Sequence, residues 1–269
     1  NNISKGKNLT FEESKTAFLN IMSGNMSEEL IYKFLVNLSA KGETAEEIAG
    51  GVHVLRKKAL KVNVIGNIID TCGTGGDMKG TLNISTAAAI VAASAGACVA
   101  KHGNRAISSK SGSADMLEKL GLKLTSDIKE LESSLKNKNF CFLFAQYHHE
   151  AMKHVINIRK QLETRTIFNL LGPLTNPAST KKQLLGVFEK KWVNIHCQVL
   201  KDLGSTRAMV VHGMDGLDEI SLSAPTFISE LKNGNITNYT LDPKEYGYEY
   251  IKIEDIKGGN VDYNAKSFL

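Results

Sequence analysis

The residues best equipped to do chemistry begin at Asp70, in the stretch DTCGTGGDMKGTLNIST that runs to Thr86. Gly73, Gly75 and Gly76 leave the backbone bare around Thr74; Asp77 follows, and Asn83, Ser85 and Thr86 add small polar side chains where an alanine-rich run starts. Backbone N–H groups with no Cβ in the way can close on an anion. A helix opening near Asn83 would favour negative charge by ~0.3–2 kcal/mol. Two named phosphate motifs fail. Gly75 and Gly80 have the outer spacing of a Walker loop, but Thr81 follows with no lysine. A dinucleotide fingerprint needs a third glycine where Met78 stands and an acid about 20 residues on, where this chain is rich in alanine. The plain alternative is a glycine turn with a Ser/Thr helix cap.

The next loop changes the balance. AKHGNRAISSKSGSADMLEKLG presents Lys101, His102, Asn104, Arg105, Ser108, Ser109, Lys110 and Ser113 between a strand pattern and a helix pattern. Two successive strand-end loops of small donors, one of them cationic, describe a single site for a multiply phosphorylated ligand at the carboxyl ends of a parallel sheet. Further on, DGLDEI supplies adjacent Asp218 and Glu219 directly after a strand, read either as surface acids on a turn or as metal ligands. In QYHHEAMKH, His149 and His154 are five apart. That separation turns about 500° along a helix and leaves them roughly 140° off one face, so a zinc-protease helix is excluded. His154 reads as a packing or surface histidine.

These residues need elements to hold them. Residues 9 to 61 read as three helices: Thr10 with Glu13 and Thr44 with Glu47 make capping boxes, Ser27 caps the middle helix, and Gly24 and Gly42 end the first two. From residue 62 the pattern alternates. VIGNIID, CVAKHGN, FCFLFAQ and STRAMVVHG read as strands, and ISTAAAIVAASAGA, SADMLEKLG and EAMKHVINIRKQL as helices. TFISELKNGNITNYTLDP reads as a hairpin turning at Asn233-Gly234. The expected fold class is α/β: a small all-α N-terminal domain, residues 1–65, plus a larger α/β domain, residues 66–269, with a mostly parallel central sheet.

At 269 residues and 42% apolar the chain can bury a sizeable core. The formal charge of +5 suits anionic small molecules, but no dense Lys/Arg tract exists; Arg56-Lys57-Lys58 and Lys190-Lys191 are short surface runs, so no nucleic-acid partner is expected. Cys72, Cys98, Cys141 and Cys197 form no C-x-x-C pair, which fits a reducing compartment. With no signal-like segment and no 18-residue apolar run, no membrane partner is expected, and a cytoplasmic location is.

GTGGD, NIST, KHGNRA, SGSAD-LE-LG, RTIFNLLGPLTNPA and VHG-DGLDEI stand here in the order found in the anthranilate phosphoribosyltransferase family. The chain resembles that family over nearly its whole length. The resemblance implies Mg²⁺-dependent transfer of the 5-phosphoribosyl group from PRPP to anthranilate, with release of pyrophosphate, in tryptophan biosynthesis. It places Gly73, Thr74, Gly75, Gly76, Asp77, Asn83, Ser85, Thr86, Lys101 and Ser113 on PRPP. It places Gly73, His102, Asn104, His149 and Arg159 on anthranilate, and Ser85, Asp218 and Glu219 on Mg²⁺. Gly172, Asn176 and Pro177 would shape the acceptor loop.

An aromatic amine is neutral at pH 7, so His102, Asn104 and His149 would position rather than act as acid or base. The family also implies a homodimer through the helical domain, a segment near 150–180 packing back on that domain, and further C-terminal helices that are expected to be missing after Leu269. This chain departs from the pattern on the acceptor side. Gln146 and His148-His149-Glu150 replace a proline and a Tyr-His-Pro string, and Glu163 replaces a glycine. Two other readings are a pyrimidine nucleoside phosphorylase, with less use for Asp218-Glu219, and a non-enzymatic nucleic-acid-binding relative of the same fold.

Overall fold

The computed structural model describes residues 3–64, 66–106 and 110–269. Three helices open the chain: α1 (Phe11–Met22), α2 (Glu28–Lys41) and α3 (Ala45–Lys58). Their starts follow the capping logic. The Thr10 and Thr44 hydroxyls accept the N–H groups of Glu13 and Glu47, whose carboxylates return to the threonine N–H groups. Glu47 does more than cap. Fully buried, it also accepts the Leu9 N–H at 2.8 Å and pairs with Lys41 at 2.9 Å. Gly50 lets α3 lie directly on α1, because a Cβ there would come 2.7 Å from the Ser14 Cβ.

The second part contains β1 (Ile68–Gly73), α4 (Ile84–Ser94), β2 (Cys98–Gly103), α5 (Ser113–Lys119), α6 (Ile128–Lys138), β3 (Phe140–Phe144) and α7 (Ala145–His148). There follow α8 (Ile156–Leu162), α9 (Ile167–Leu171), β4 (Lys182–Gly186), α10 (Lys191–Asp202), β5 (Arg207–Gly213), β6 (Thr226–Lys232), β7 (Asn235–Leu241) and α11 (Val261–Lys266). The sheet order is β3-β2-β1-β4-β5-β6-β7, parallel from β3 through β5 and antiparallel at β6 and β7. The expected α/β architecture is thus observed. The β6–β7 turn sits at Asn233 (φ 53°) and Gly234 (φ 77°), the two positive angles of a two-residue hairpin turn.

Three details differ from the sequence reading. β4 lies between β1 and β5 although KKQLLG carries no clear strand pattern; its buried Gln183 is made acceptable by donating to the Pro173 carbonyl at 2.7 Å. EAMKHVINIRKQL is not one helix: Glu150–His154 is a 3-10 turn, and Val155, fully buried at φ −125°, separates it from α8. The strand in VIGNIID begins only at Ile68.

Strand alternation gives the sheet two faces. One is covered by α4 and α5, through Ala89, Ala93, Val99, Met116 and Phe142. The other is covered by α6 and α10, through Ala100, Leu135, Leu143, Leu185 and Val210. The α10 side runs without a break into the helical unit: Phe18, Ile48, Val52, Leu171, Trp192, Leu200 and Val210 share one core, to which Ile158 of α8 also belongs. Among the described residues no helix is long and apolar enough to cross a membrane.

Candidate active site

The chain builds β1, β2 and β3 outward in one direction, then crosses to the other side of β1 to build β4 and β5. This reversal between β1 and β4 makes a switch point, where α/β sheets open a crevice at their carboxyl ends. The glycine loop leaves β1 there. Gly75 (φ 64°) and Gly76 (φ 77°) need left-handed backbone, and Gly73 needs closeness, since a Cβ on it would meet Asp218 Oδ2 at 2.6 Å. Thr74 ties the loop down: its N–H donates to Gly186 O at 2.9 Å and its hydroxyl accepts the Phe188 N–H at 3.1 Å.

Asp218 and Glu219 come from the loop after β5 and lie against this backbone. Gly75 N–H donates to Asp218 Oδ2 at 2.9 Å; Ser85, in the first turn of α4, donates to Glu219 Oε1 from its N–H at 3.0 Å and its hydroxyl at 2.5 Å. Burial, with the charges of Glu219 and Asp77 alongside, pushes the Asp218 pKa up to about 8. Burial also raises Glu219, against the hydrogen bonds from Ser85. Asp215, on the sequence a turn residue, clamps the same loop by accepting the hydroxyls of Ser221 (2.5 Å) and Ser223 and the Leu217 N–H at 3.1 Å. Among the described residues no three His, Cys, Asp or Glu side chains converge to hold a metal, so a cation on this acid pair would complete its shell with other oxygens. Hard oxygen donors, few in number, are what Mg²⁺ takes when substrate oxygens supply the rest.

The second loop is held to the first by side chains. Asn83 stands at the N-cap of α4 but does not cap it; it donates to Ser111 O at 3.1 Å and accepts from Asn264 at 3.0 Å. Thr86 is buried in the first turn of α4. Ser113 donates to Asn104 O at 3.2 Å. Arg105 is committed to Asp115 at 2.8 Å and Glu118 at 2.6 Å, so it braces the loop. Lys101 is buried and donates to Thr71 O at 2.5 Å, with further N–H groups in hand. Ser108 and Ser109 lie outside the described residues.

On the opposite face His102 and His149 meet edge to face, with ring centroids 5.2 Å apart. Both are buried with Nε2 unpartnered, as is Nε2 of His148. Burial, then the neighbouring histidines, pushes His102 well below its ordinary value and His149 down to about 4, so both rings are neutral at pH 7. Asn104 Oδ1 accepts the Arg105 N–H at 2.8 Å and the Gln146 amide at 3.3 Å, leaving its own amide N–H groups to point elsewhere. Arg159 lies half-buried over Phe168 at 5.6 Å, where burial lowers its pKa. His154 packs on the Gly24 turn. Two residues of this region carry no local signal of a role in the sequence: Asp70, fully buried in β1, and Arg165, which stacks on Phe188 at 4.1 Å and donates to Gly76 O from the chain after α8.

Residues 1–59 match the family described as glycosyl transferase family, helical bundle domain, and residues 65–268 its a/b domain. Fold and site therefore define a glycosyltransferase. An anthranilate phosphoribosyltransferase from Thermoanaerobacter sp. (strain X514) is 49% identical over 98% of this chain and 78% of the relative. The crystal structure of the Thermus thermophilus enzyme of that name superposes with a TM-score of 0.93 at 41% identity, over 99% of this chain and 79% of that one. The Saccharomyces cerevisiae enzyme, solved in complex with PRPP and Mg, gives 0.87 at 29% identity, over 97% and 76%. The chain belongs to the anthranilate phosphoribosyltransferase family.

Proposed function

We propose that this enzyme transfers the 5-phosphoribosyl group of PRPP to the amine of anthranilate, giving N-(5-phosphoribosyl)anthranilate and pyrophosphate, as a Mg²⁺-dependent step of tryptophan biosynthesis. The observation that carries this reading is the meeting, at one switch point, of bare glycine backbone, the first turn of α4 and two crowded acids. Gly73, Thr74, Gly75, Gly76 and Asp77 would follow the diphosphate and ribose, with Asn83, Ser85, Thr86, Lys101 and Ser113 completing the PRPP side. Ser85, Asp218 and Glu219 would hold Mg²⁺, which when bound would neutralise charge on the departing pyrophosphate.

Displacement at ribose C1 passes through an oxocarbenium-like transition state, and the protein's part is placement. Arg159 presents a planar fork suited to the anthranilate carboxylate. Gly73, Asn104 and the neutral rings of His102 and His149 would set the amine in line with C1. No side chain need remove a proton before attack, because the amine is already neutral.

The same reading divides the chain at residue 65, counts the segment near 150–180 with the helical unit, and makes the enzyme a cytoplasmic homodimer through that unit. Tyr32 and Val36, exposed and one turn apart on α2, support the dimer, which light scattering at twice the chain mass would check. Neither nucleoside phosphorolysis nor nucleic-acid binding has an observation of its own in this site.

The test is loss of anthranilate fluorescence on mixing with PRPP and Mg²⁺. Loss that needs both, is stopped by EDTA and disappears in Asp218→Ala/Glu219→Ala supports the reading. An unaltered chain that binds no PRPP would sink it.

A further inference from the structure

Asp70 is fully buried beneath the site, and no role above uses it. Its surroundings are unusual for a parallel sheet. β1 and β2 pair only at Ile68–Cys98 and Ile69–Val99, although β1 continues beside β4 to Gly73–Gly186 and β2 beside β3 to Gly103–Phe144. Beyond Ile69 the two strands run on side by side without ladder pairing. Backbone groups there are answered by side chains of the facing strand: His102 N–H donates to Asp70 Oδ1 at 3.1 Å, and Lys101 Nζ donates to Thr71 O at 2.5 Å.

The other carboxylate oxygen of Asp70 accepts from Asn176 Nδ2 at 2.8 Å. Asn176 also donates to Ala100 O at 2.8 Å and accepts the Ala178 N–H at 2.8 Å, so its amide is spent fastening the 172–178 loop onto β1 and β2. The rings of His102 and His149 lie against the backbone of Gly172 and Thr175 in that loop. Burying a carboxylate is costly, and continued strand pairing would satisfy the same N–H without one. What the carboxylate adds is geometry.

We propose that Asp70 is a positioning residue for the acceptor half of the site: it replaces ladder pairing between β1 and β2 and, through the His102 backbone and Asn176, sets His102 and His149 against the 172–178 loop. The inference rests on the reading of those two histidines as acceptor-side groups. Asp70→Asn keeps the shape and an acceptor for His102 but turns a second donor toward Asn176.

The experiment compares the unaltered chain, Asp70→Asn, Asn176→Ala and the double variant. In either single variant KM for anthranilate rises about tenfold or more while KM for PRPP stays within about threefold. The double variant is no worse than the worse single one, because both changes break one contact. In ligand-free protein the imidazole proton resonances of His102 and His149 shift in both single variants. Unchanged resonances, equal effects on both substrates, or additive losses would overturn the proposal. If Asp70→Asn does not fold, Asn176→Ala, which leaves Asp70 on His102, decides it. If the unaltered chain consumes no anthranilate the functional reading falls, and the resonances still decide whether Asp70 positions the rings.

Discussion

At the scale of single residues, Asp218 and Glu219 occupy donors that an incoming anion would use, the N–H groups of Gly75 and Ser85. Each carboxylate satisfies the backbone and at the same time repels phosphate. Asp218→Asn is therefore expected to act in opposite directions with and without metal. In EDTA at pH 9, where Asp218 with its pKa of about 8 is ionised, the variant binds inorganic pyrophosphate about fivefold more tightly than the unaltered chain, because one buried like charge is gone; in excess Mg²⁺ it binds more weakly. Isothermal titration in the two buffers checks both signs, and weaker binding in EDTA would refute the competition. The glycine loop was legible in the sequence because its residue types carry the chemistry, whereas the acid pair took its metal role only from the family resemblance. Asp70 and Arg165 were not legible, because their partners stand far off in the chain: 32 and 106 residues away for Asp70, 89 for Arg165.

At the scale of elements, capping residues and alternating apolar runs carried most of the reading, since both signals are local. The hairpin and the three N-terminal helices were visible for that reason. β4 was hidden because its polar Gln183 is satisfied by a loop ten residues earlier, a compensation no local pattern shows. The break before α8 was hidden because Val155 serves the core rather than the helix. Glu163 marks the end of α8 in a left-handed conformation, φ 49°, a backbone region that favours glycine. A side chain there is strained by roughly 1–2 kcal/mol, partly offset by the extra freedom glycine gives the unfolded chain. Glu163→Gly is expected to raise unfolding free energy by about 1 kcal/mol and Tm by about 2–4 °C. Calorimetry showing a lower Tm would mean that the exposed glutamate makes a stabilising contact of its own.

At the scale of the whole molecule, α10 joins the helical unit and the sheet in one core, and His196 lies at that junction, fully buried, with ring nitrogens 3.1 Å from Trp192 O and 3.2 Å from Leu170 O. Burial pushes its pKa down to about 4, against those two carbonyls. The unfolded chain takes up a proton near pH 6.5 and the folded chain does not until about pH 4, so this stability is whole above pH 6.5 and is lost as pH falls toward 4. Asp70 and Asp218, raised by burial, work in the opposite direction, so the comparison must isolate the histidine. Between pH 7.5 and 5 the loss of unfolding free energy is expected to be about 2 kcal/mol smaller in His196→Gln than in the unaltered chain, measured by urea titration. Equal losses would place a charged imidazole in the core.

The sheet itself has a longer consequence. Thr71 and Lys101 face α4, whereas Asp70 and His102, each one residue away, face the 172–178 loop. Two neighbouring β-strands thus write two vocabularies on alternate letters. On the proposed reading, change at the even positions would retune which amine is accepted while the odd positions kept their grip on the sugar phosphate, so one donor site could serve many acceptors.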